Sequence, residues 1–119
     1  MTTVHTPDTP GTAPVYRLTI ASDDGTEIGH VYVYIIGDLA RQGKRYALID
    51  HMAIEEPFQD KGYGKKLLTA AEEVAHKEQC YKMVLYSRMK NHRAHAFYIK
   101  QGYSFWGHEF RKDLTTTAP

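Results

Sequence analysis

The 119-residue chain predicts an α+β fold, a mixed and mostly antiparallel β-sheet flanked by helices in the order βββ-α-β-α-ββ. Three observations carry this. Between Val15 and Ile54, three runs alternate or concentrate Val, Ile and Tyr, the mark of strands. The first two are joined by Asp23-Asp24-Gly25-Thr26, whose Asp-Gly step is a strong hairpin signal. Further on, apolar residues recur twice at helical spacing around one short apolar run, which calls for helices packed on a sheet.

Taken in order, Val15 to Ala21 sets Tyr16, Leu18 and Ile20 against Arg17 and Thr19. Ile28 to Ile36 is the second strand, and Tyr32 and Tyr34 share one of its faces. Tyr16 is expected to join them across the hairpin, as core, as a dimer surface or as a substrate box. Gly37 to Lys44 is polar with Gly near its ends, hence a loop, and Arg45 to Ile54 is the third strand, with Pro57 marking its exit. From Gly62 to about Glu78, the residues Leu67, Leu68, Ala71, Val74 and Ala75 make one apolar stripe, with Lys66, Glu72, Glu73 and Lys77 among the polar positions. Lys82 to Tyr86 reads as a fourth strand. Asn91 suits the N-cap of a second helix, and Gly102 suits the residue just past its end. That helix carries Ala94, Phe97 and Tyr98 along one side. Tyr103 to Trp106 and Phe110 to Leu114 read as two final short strands around Gly107. Residues 1–14, dense in Thr and Pro, and residues 115–119 are expected to be disordered tails, leaving a single domain over 15–114.

Bulk properties narrow the function classes. A formal net charge of +1 argues against a dedicated nucleic-acid or membrane-surface protein. The one cysteine, Cys80, has no partner for an intramolecular disulfide, which fits a reducing compartment. No apolar stretch approaches the roughly 20 residues that span a bilayer, and the first residues do not resemble a signal peptide. A cytoplasmic protein without nucleic-acid or membrane partners is the expectation.

The most informative stretch is Gln59-Asp60-Lys61-Gly62-Tyr63-Gly64, which joins the third strand to the first helix. Two glycines permit a tight turn and leave backbone N–H groups uncovered at a helix start, where unpaired donors and the helix dipole favour an anion. A nucleotide P-loop does not fit. Gly64-Lys65 is followed by Lys66 rather than Ser or Thr, and Gln59 stands where the first Gly belongs. A dinucleotide fingerprint fails because Leu67 occupies the place of its third Gly.

Gln59, Gly62 and Gly64 match the pattern Q/R-x-x-G-x-G/A and resemble the acetyl-CoA loop of the GNAT N-acetyltransferase superfamily. Asn91-x-Arg93-Ala94-x-x-Phe97-Tyr98-x-x-x-Gly102-Tyr103 resembles that superfamily's later helix motif, which usually ends in Gly-Phe. Ile49 to Glu55, the strand before the loop, matches in pattern and in distance from Gln59. The resemblance covers Val15 to Leu114 and implies the acyl-CoA N-acyltransferase fold. One departure stands out. Members typically begin with a strand and two helices that wall the acceptor pocket, and only a short segment precedes the first hairpin here. The acceptor site is then open, or a second subunit of a homodimer closes it.

The resemblance assigns roles residue by residue. Backbone N–H groups around Gln59, Asp60, Lys61, Gly62, Tyr63, Gly64 and Lys65 would hold the coenzyme A diphosphate, with charge from Lys65 and Lys66. Met52, Ala53 and Ile54 would present backbone to the pantetheine arm, and a main-chain N–H could face the thioester carbonyl. Asn91 resembles the superfamily's Asn near that arm, though it serves equally as an N-cap, and Arg93 belongs to the same motif. An acceptor ammonium must lose a proton, since amines titrate near ~8 to ~10.4. Asp50 is the first candidate base, with Glu55 and His51 as others; strand alternation is expected to put Asp50 and His51 on opposite faces. Tyr98 occupies the position of the acid that protonates the leaving thiolate, or else packs on an amphipathic helix. The reading is an acetyl-CoA-dependent N-acetyltransferase acting on an amine of unspecified identity, against the alternative of a non-catalytic acyl-CoA-binding module.

Other features are weaker. His92 and His95 share a helix face, but no third ligand stands at motif spacing, so no metal is expected. Cys80 reads as packed rather than catalytic. Arg88, Lys90, His92 and Arg93 form a basic cluster that would meet the adenosine 3′-phosphate or be a solvated face.

Overall fold

The computed structural model describes residues 2–5, 14–87, 90–107 and 110–115. The chain divides into two compact units, Met1–Leu85 and Tyr86–Pro119, each taken by itself below.

The first unit is built on a five-stranded sheet in sequential order. Its strands are β1 (Thr2–His5), β2 (Val15–Ala21), β3 (Glu27–Asp38), β4 (Lys44–Ile54) and β5 (Cys80–Leu85). The first four pair antiparallel in succession, and β5 joins β4 in parallel after a crossover through the helix α1, Tyr63–Lys77. The β2–β3 hairpin turns where Asp-Gly predicts it. Gly25 takes φ +90°, Ser22 N–H donates to Thr26 O at 2.9 Å, and Asp24 Oδ1 accepts Thr26 N–H at 3.0 Å.

Alternation decides the two faces of the sheet. Tyr16, Leu18 and Ile20 from β2, Val31, Val33 and Ile35 from β3, and Ala47 and Ile49 from β4 are buried. They meet Leu67, Leu68, Ala71, Val74 and Ala75, the apolar stripe read from the sequence of α1. Each large apolar side chain withdrawn from water here contributes about 1.5–3 kcal/mol before the entropy of ordering is counted. At the C-terminal end of α1, Glu78 receives the Tyr16 hydroxyl on one carboxylate oxygen and the Arg45 guanidinium on the other, tying helix to sheet. Tyr16 therefore does not join Tyr32 and Tyr34. The register sets Arg17 opposite Tyr32 and Val15 opposite Tyr34, and a single-residue offset reverses the face.

Two expectations need correction. Residues 2–5, expected within a disordered tail, form β1 against β2. The Thr-Pro composition of the segment is misleading because its prolines, Pro7, Pro10 and Pro14, all lie outside Thr-Thr-Val-His. Residues 6–13 and 116–119, also read as tail, lie outside the described residues. The two final strands are absent as strands: Tyr103 to Gly107 and 110–114 carry no ladder among the described residues, and the turn between them is not described. Their aromatic alternation shows a capacity to pair, but a hairpin without a third strand is marginal.

In the second unit, α2 spans His92–Lys100. Asn91 caps it as the sequence indicates, its side-chain oxygen accepting Ala94 N–H at 3.1 Å. Gly102 ends it at φ +97°, with its N–H bonded to Ile99 O and that of Tyr103 to Tyr98 O, both at 3.0 Å, the paired bonds of a Schellman motif.

Candidate active site

The loop after β4 is built to leave a helix start bare. A 3-10 turn, Glu56–Phe58, carries Pro57 near its start and leads to Gln59. Asp60 and Gly62 then take φ +63° and +87°, so the chain enters α1 through left-handed backbone. Gly62 is the N-cap and has no side chain to bond the first amides; the first backbone bond of the helix runs from Lys66 N–H to Gly62 O at 3.2 Å. The amides of residues 63–65 therefore have no acceptor within the helix. A Cβ placed on Gly62 would meet nothing within 4 Å, so the space above the cap is open. Lys61, Lys65 and Lys66 are exposed around it, and Phe58 and Tyr63 contact edge-on beneath, with Lys61 over the first ring and Lys66 over the second.

Beside this turn the sheet parts. Pairing of β4 with β5 runs from Arg45↔Cys80 to Ile49↔Leu85 and stops, while β4 continues to Ile54. Met52, Ala53 and Ile54, the residues expected to offer backbone, lie on that extension. Gln59 closes its far end: its amide Nε2 donates to Ile54 O at 3.0 Å, so one lone pair of that carbonyl is already engaged. The side chain of Gln59 thus shapes the turn.

Within the extension, β4 holds one extra residue. Tyr32 pairs with Asp50 but His30 pairs with Ala53, and His51 sits at φ +51°, a β-bulge. The bulge overturns the expectation that Asp50 and His51 point to opposite faces. His51 Nε2 lies 3.3 Å from Asp50 Oδ2, and Asp50 Oδ1 accepts the backbone N–H of His51 at 2.9 Å. The Tyr32 ring stands edge-on to His51 with centroids 6.0 Å apart, and Tyr32 itself contacts Tyr34, His30 and Arg17. Asp50 also lines an open cavity of about 250 Å³ walled by Val15, Tyr34, Ile36 and Leu48, on the sheet face away from α1. Glu55 is exposed and hydrogen-bonds through its backbone to Ile28 O.

Asn91, Arg93 and Tyr98 stand on the second unit. Asn91 performs its capping role, Arg93 is exposed, and Tyr98 is half-buried between the edges of Phe97 and Tyr103. Burial pushes the Tyr98 phenol up from its ordinary value, so it keeps its proton throughout the neutral range. Cys80 opens β5, half-buried, and burial raises its thiol too, which leaves little thiolate for nucleophilic attack. His92 and His95 face each other with rings 6.1 Å apart. Arg88 of the basic cluster lies outside the described residues. The residue that sequence reasoning displaced is His51; its only signal is that His, unlike most residues, tolerates the left-handed region.

A parted sheet with an uncapped, glycine-entered helix at the parting defines an acyl-transfer domain of the kind the two motifs resemble. The chain belongs to the acetyltransferase (GNAT) family, whose model matches residues 5–103. Its enzyme class is therefore acyl transfer, with an acyl-CoA donor general to the family. Among solved structures, a Trypanosoma brucei acetyltransferase superposes with TM-score 0.76 at 23% identity, over 84% of this chain and 69% of that one. Glucosamine-6-phosphate N-acetyltransferase of Arabidopsis thaliana gives 0.77 at 22%, covering 85% and 67%. Ribosomal-protein-alanine N-acetyltransferase of Brucella melitensis gives 0.71 at 20%, covering 83% and 71%. The likeness is one of fold. No curated protein matches the chain in sequence.

Proposed function

We propose that the protein is an acetyl-CoA-dependent N-acetyltransferase that passes an acetyl group to an amine by direct attack on the thioester. The observation that carries this reading is the stretch from Ile49 to Gly62, where β4 outruns β5 and the chain enters α1 through a bare left-handed glycine. The amides at the start of α1, with Lys65 and Lys66, would hold the donor's diphosphate. The β4 extension would pair with its pantetheine amides, and an N–H of that strand would face the thioester oxygen, where charge develops. Asn91 and Arg93 are carried as donor-binding residues by the motif they belong to. Acetyl-CoA, when bound, supplies an acetyl group already activated toward amines.

The chain's own groups then manage two protons. One leaves the acceptor ammonium for a base at the start of the β4 extension, where Asp50 and His51 stand, which frees the lone pair that forms the C–N bond. The other passes from the Tyr98 phenol to sulfur as the C–S bond breaks. The acceptor amine is not chosen by likeness: the named relatives include a sugar-phosphate acetyltransferase and one named for ribosomal-protein alanine. The single, half-buried cysteine suits the cytoplasm. A second copy of the chain would close the acceptor side.

Titration calorimetry with acetyl-CoA, joined to a thiol-release assay over an amine panel, tests the reading. Binding with amine-dependent release is expected. Binding without release points to a non-catalytic acyl-CoA-binding module, and no binding at millimolar acetyl-CoA sinks the proposal.

A further inference from the structure

The bulge in β4 does more than bend a strand. We propose that His51 is the atom-level proton acceptor of the reaction and that Asp50 is its positioning residue, the two working as one pair. This deepens the transferase reading and rests on it.

Three features converge on the pair. The extra residue in β4 turns His51 to the side of Asp50, which plain alternation forbids. Asp50 accepts the backbone N–H of His51 at 2.9 Å, and its other oxygen lies 3.3 Å from imidazole Nε2, within ion-pair range. A carboxylate only accepts hydrogen bonds, so an imidazole that turns its Nε2–H to Asp50 would keep its lone pair on Nδ1. That is the arrangement by which a carboxylate readies an imidazole as a base. Finally, the side chains are 68% and 48% exposed, so water or an amine can reach them. Stability does not explain the geometry: an exposed ion pair contributes about 0–1 kcal/mol, and a left-handed non-glycine residue costs about as much or more. Outliers of this kind gather at functional sites.

The location is also right. The pair sits at the first step of the β4 extension, two residues before Ala53, and Asp50 borders the cavity walled by Val15, Tyr34 and Leu48. An amine whose body rests in that cavity would bring its nitrogen to the pair. The step balances: R–NH3+ gives its proton to His51 Nδ1, the freed amine forms the C–N bond, and the imidazolium later returns the proton to solvent. The groups facing His51 are Asp50 from β4 and Tyr32 from β3; His30, Arg17 and Glu27 stand behind Tyr32.

The experiment measures kcat/KM against pH for wild type, His51→Asn, Asp50→Asn and the double variant. Tyramine, spermidine and an alanine-led peptide serve as probe amines, with acetyl-CoA affinity by calorimetry in parallel. Asn keeps the left-handed backbone available, so His51→Asn should fold, as a thermal melt will show. His51→Asn should lose about 10²-fold at neutral pH while acetyl-CoA affinity holds. The gap should narrow by at least an order of magnitude near pH ~10, where the amine sheds its proton unaided. The double variant should lose little beyond either single one, as groups that act as a unit do. If His51→Asn keeps wild-type turnover while Asp50→Asn loses it, Asp50 alone is the base and this proposal falls, with the transferase reading intact. A loss that is the same at every pH likewise overturns it. Wild type that releases no thiol with any probe takes the transferase reading down as well.

Discussion

Gly62 shows how one residue's backbone can carry a binding function. A methyl added there would meet no neighbour, yet φ +87° lies where an L side chain pays for its own carbonyl contact. Gly62→Ala should therefore destabilise the fold by about 1–2 kcal/mol and weaken acetyl-CoA binding, read by melting and calorimetry. An alanine variant that melts lower but binds equally would separate the turn from the cradle. Tyr98 is tested differently. Burial keeps its phenol protonated, so Tyr98→Phe should cut turnover by about 10²-fold or more and leave acetyl-CoA affinity in place. Equal losses in both would mean that it only packs between Phe97 and Tyr103. At this scale the glycines and the Asn91 cap were legible, because left-handed turns and N-caps restrict residue type. The partnership of Asp50 with His51 was not, since nothing local announces the extra residue in β4.

Among the elements, β4 has most to lose. Gly29 of β3 lies against its far end: a Cβ there would come 2.5 Å from Ile54 Cδ1, 3.0 Å from Ala53 O and 3.2 Å from Ile20 Cγ2. The isoleucine tip can swing aside, but the carbonyl belongs to the strand. Gly29→Ala should cost about 1–3 kcal/mol and push the β4 extension outward, lowering acetyl-CoA affinity although Gly29 is not itself a proposed ligand residue. Unfolding by urea and calorimetry on the same variant check this; unchanged affinity would mean that the extension tolerates displacement. The strands and helices themselves were readable from period alone, down to the buried stripe of α1. Pairing was less so. β1 lies hidden inside a Thr-Pro segment, and the aromatic run after α2 suggests strands that find no ladder among the described residues, because a strand is defined by its neighbour as much as by its own residues.

For the molecule as a whole, the junction of Tyr16, Arg45 and Glu78 sets an alkaline limit. The hydrogen bond to Glu78, then burial, pushes the Tyr16 phenol up to about 12. A folded value above the ordinary phenol, near ~10, means that the stability it contributes is complete below pH ~10 and fades as pH climbs through about 12. Denaturant midpoints measured from pH 9 to pH 12 should fall accordingly, and Tyr16→Phe should start lower and fall less; a flat wild-type profile would rule the junction out as the cause. The parted sheet has another consequence. Backbone left without a neighbouring strand is an invitation to foreign strands, and the kink at His51 is a partial defence. Purified without its nucleotide, the protein should drift toward oligomers and fibrils on storage, and a stoichiometric dose of coenzyme A, by filling the gap, should act as a chemical chaperone.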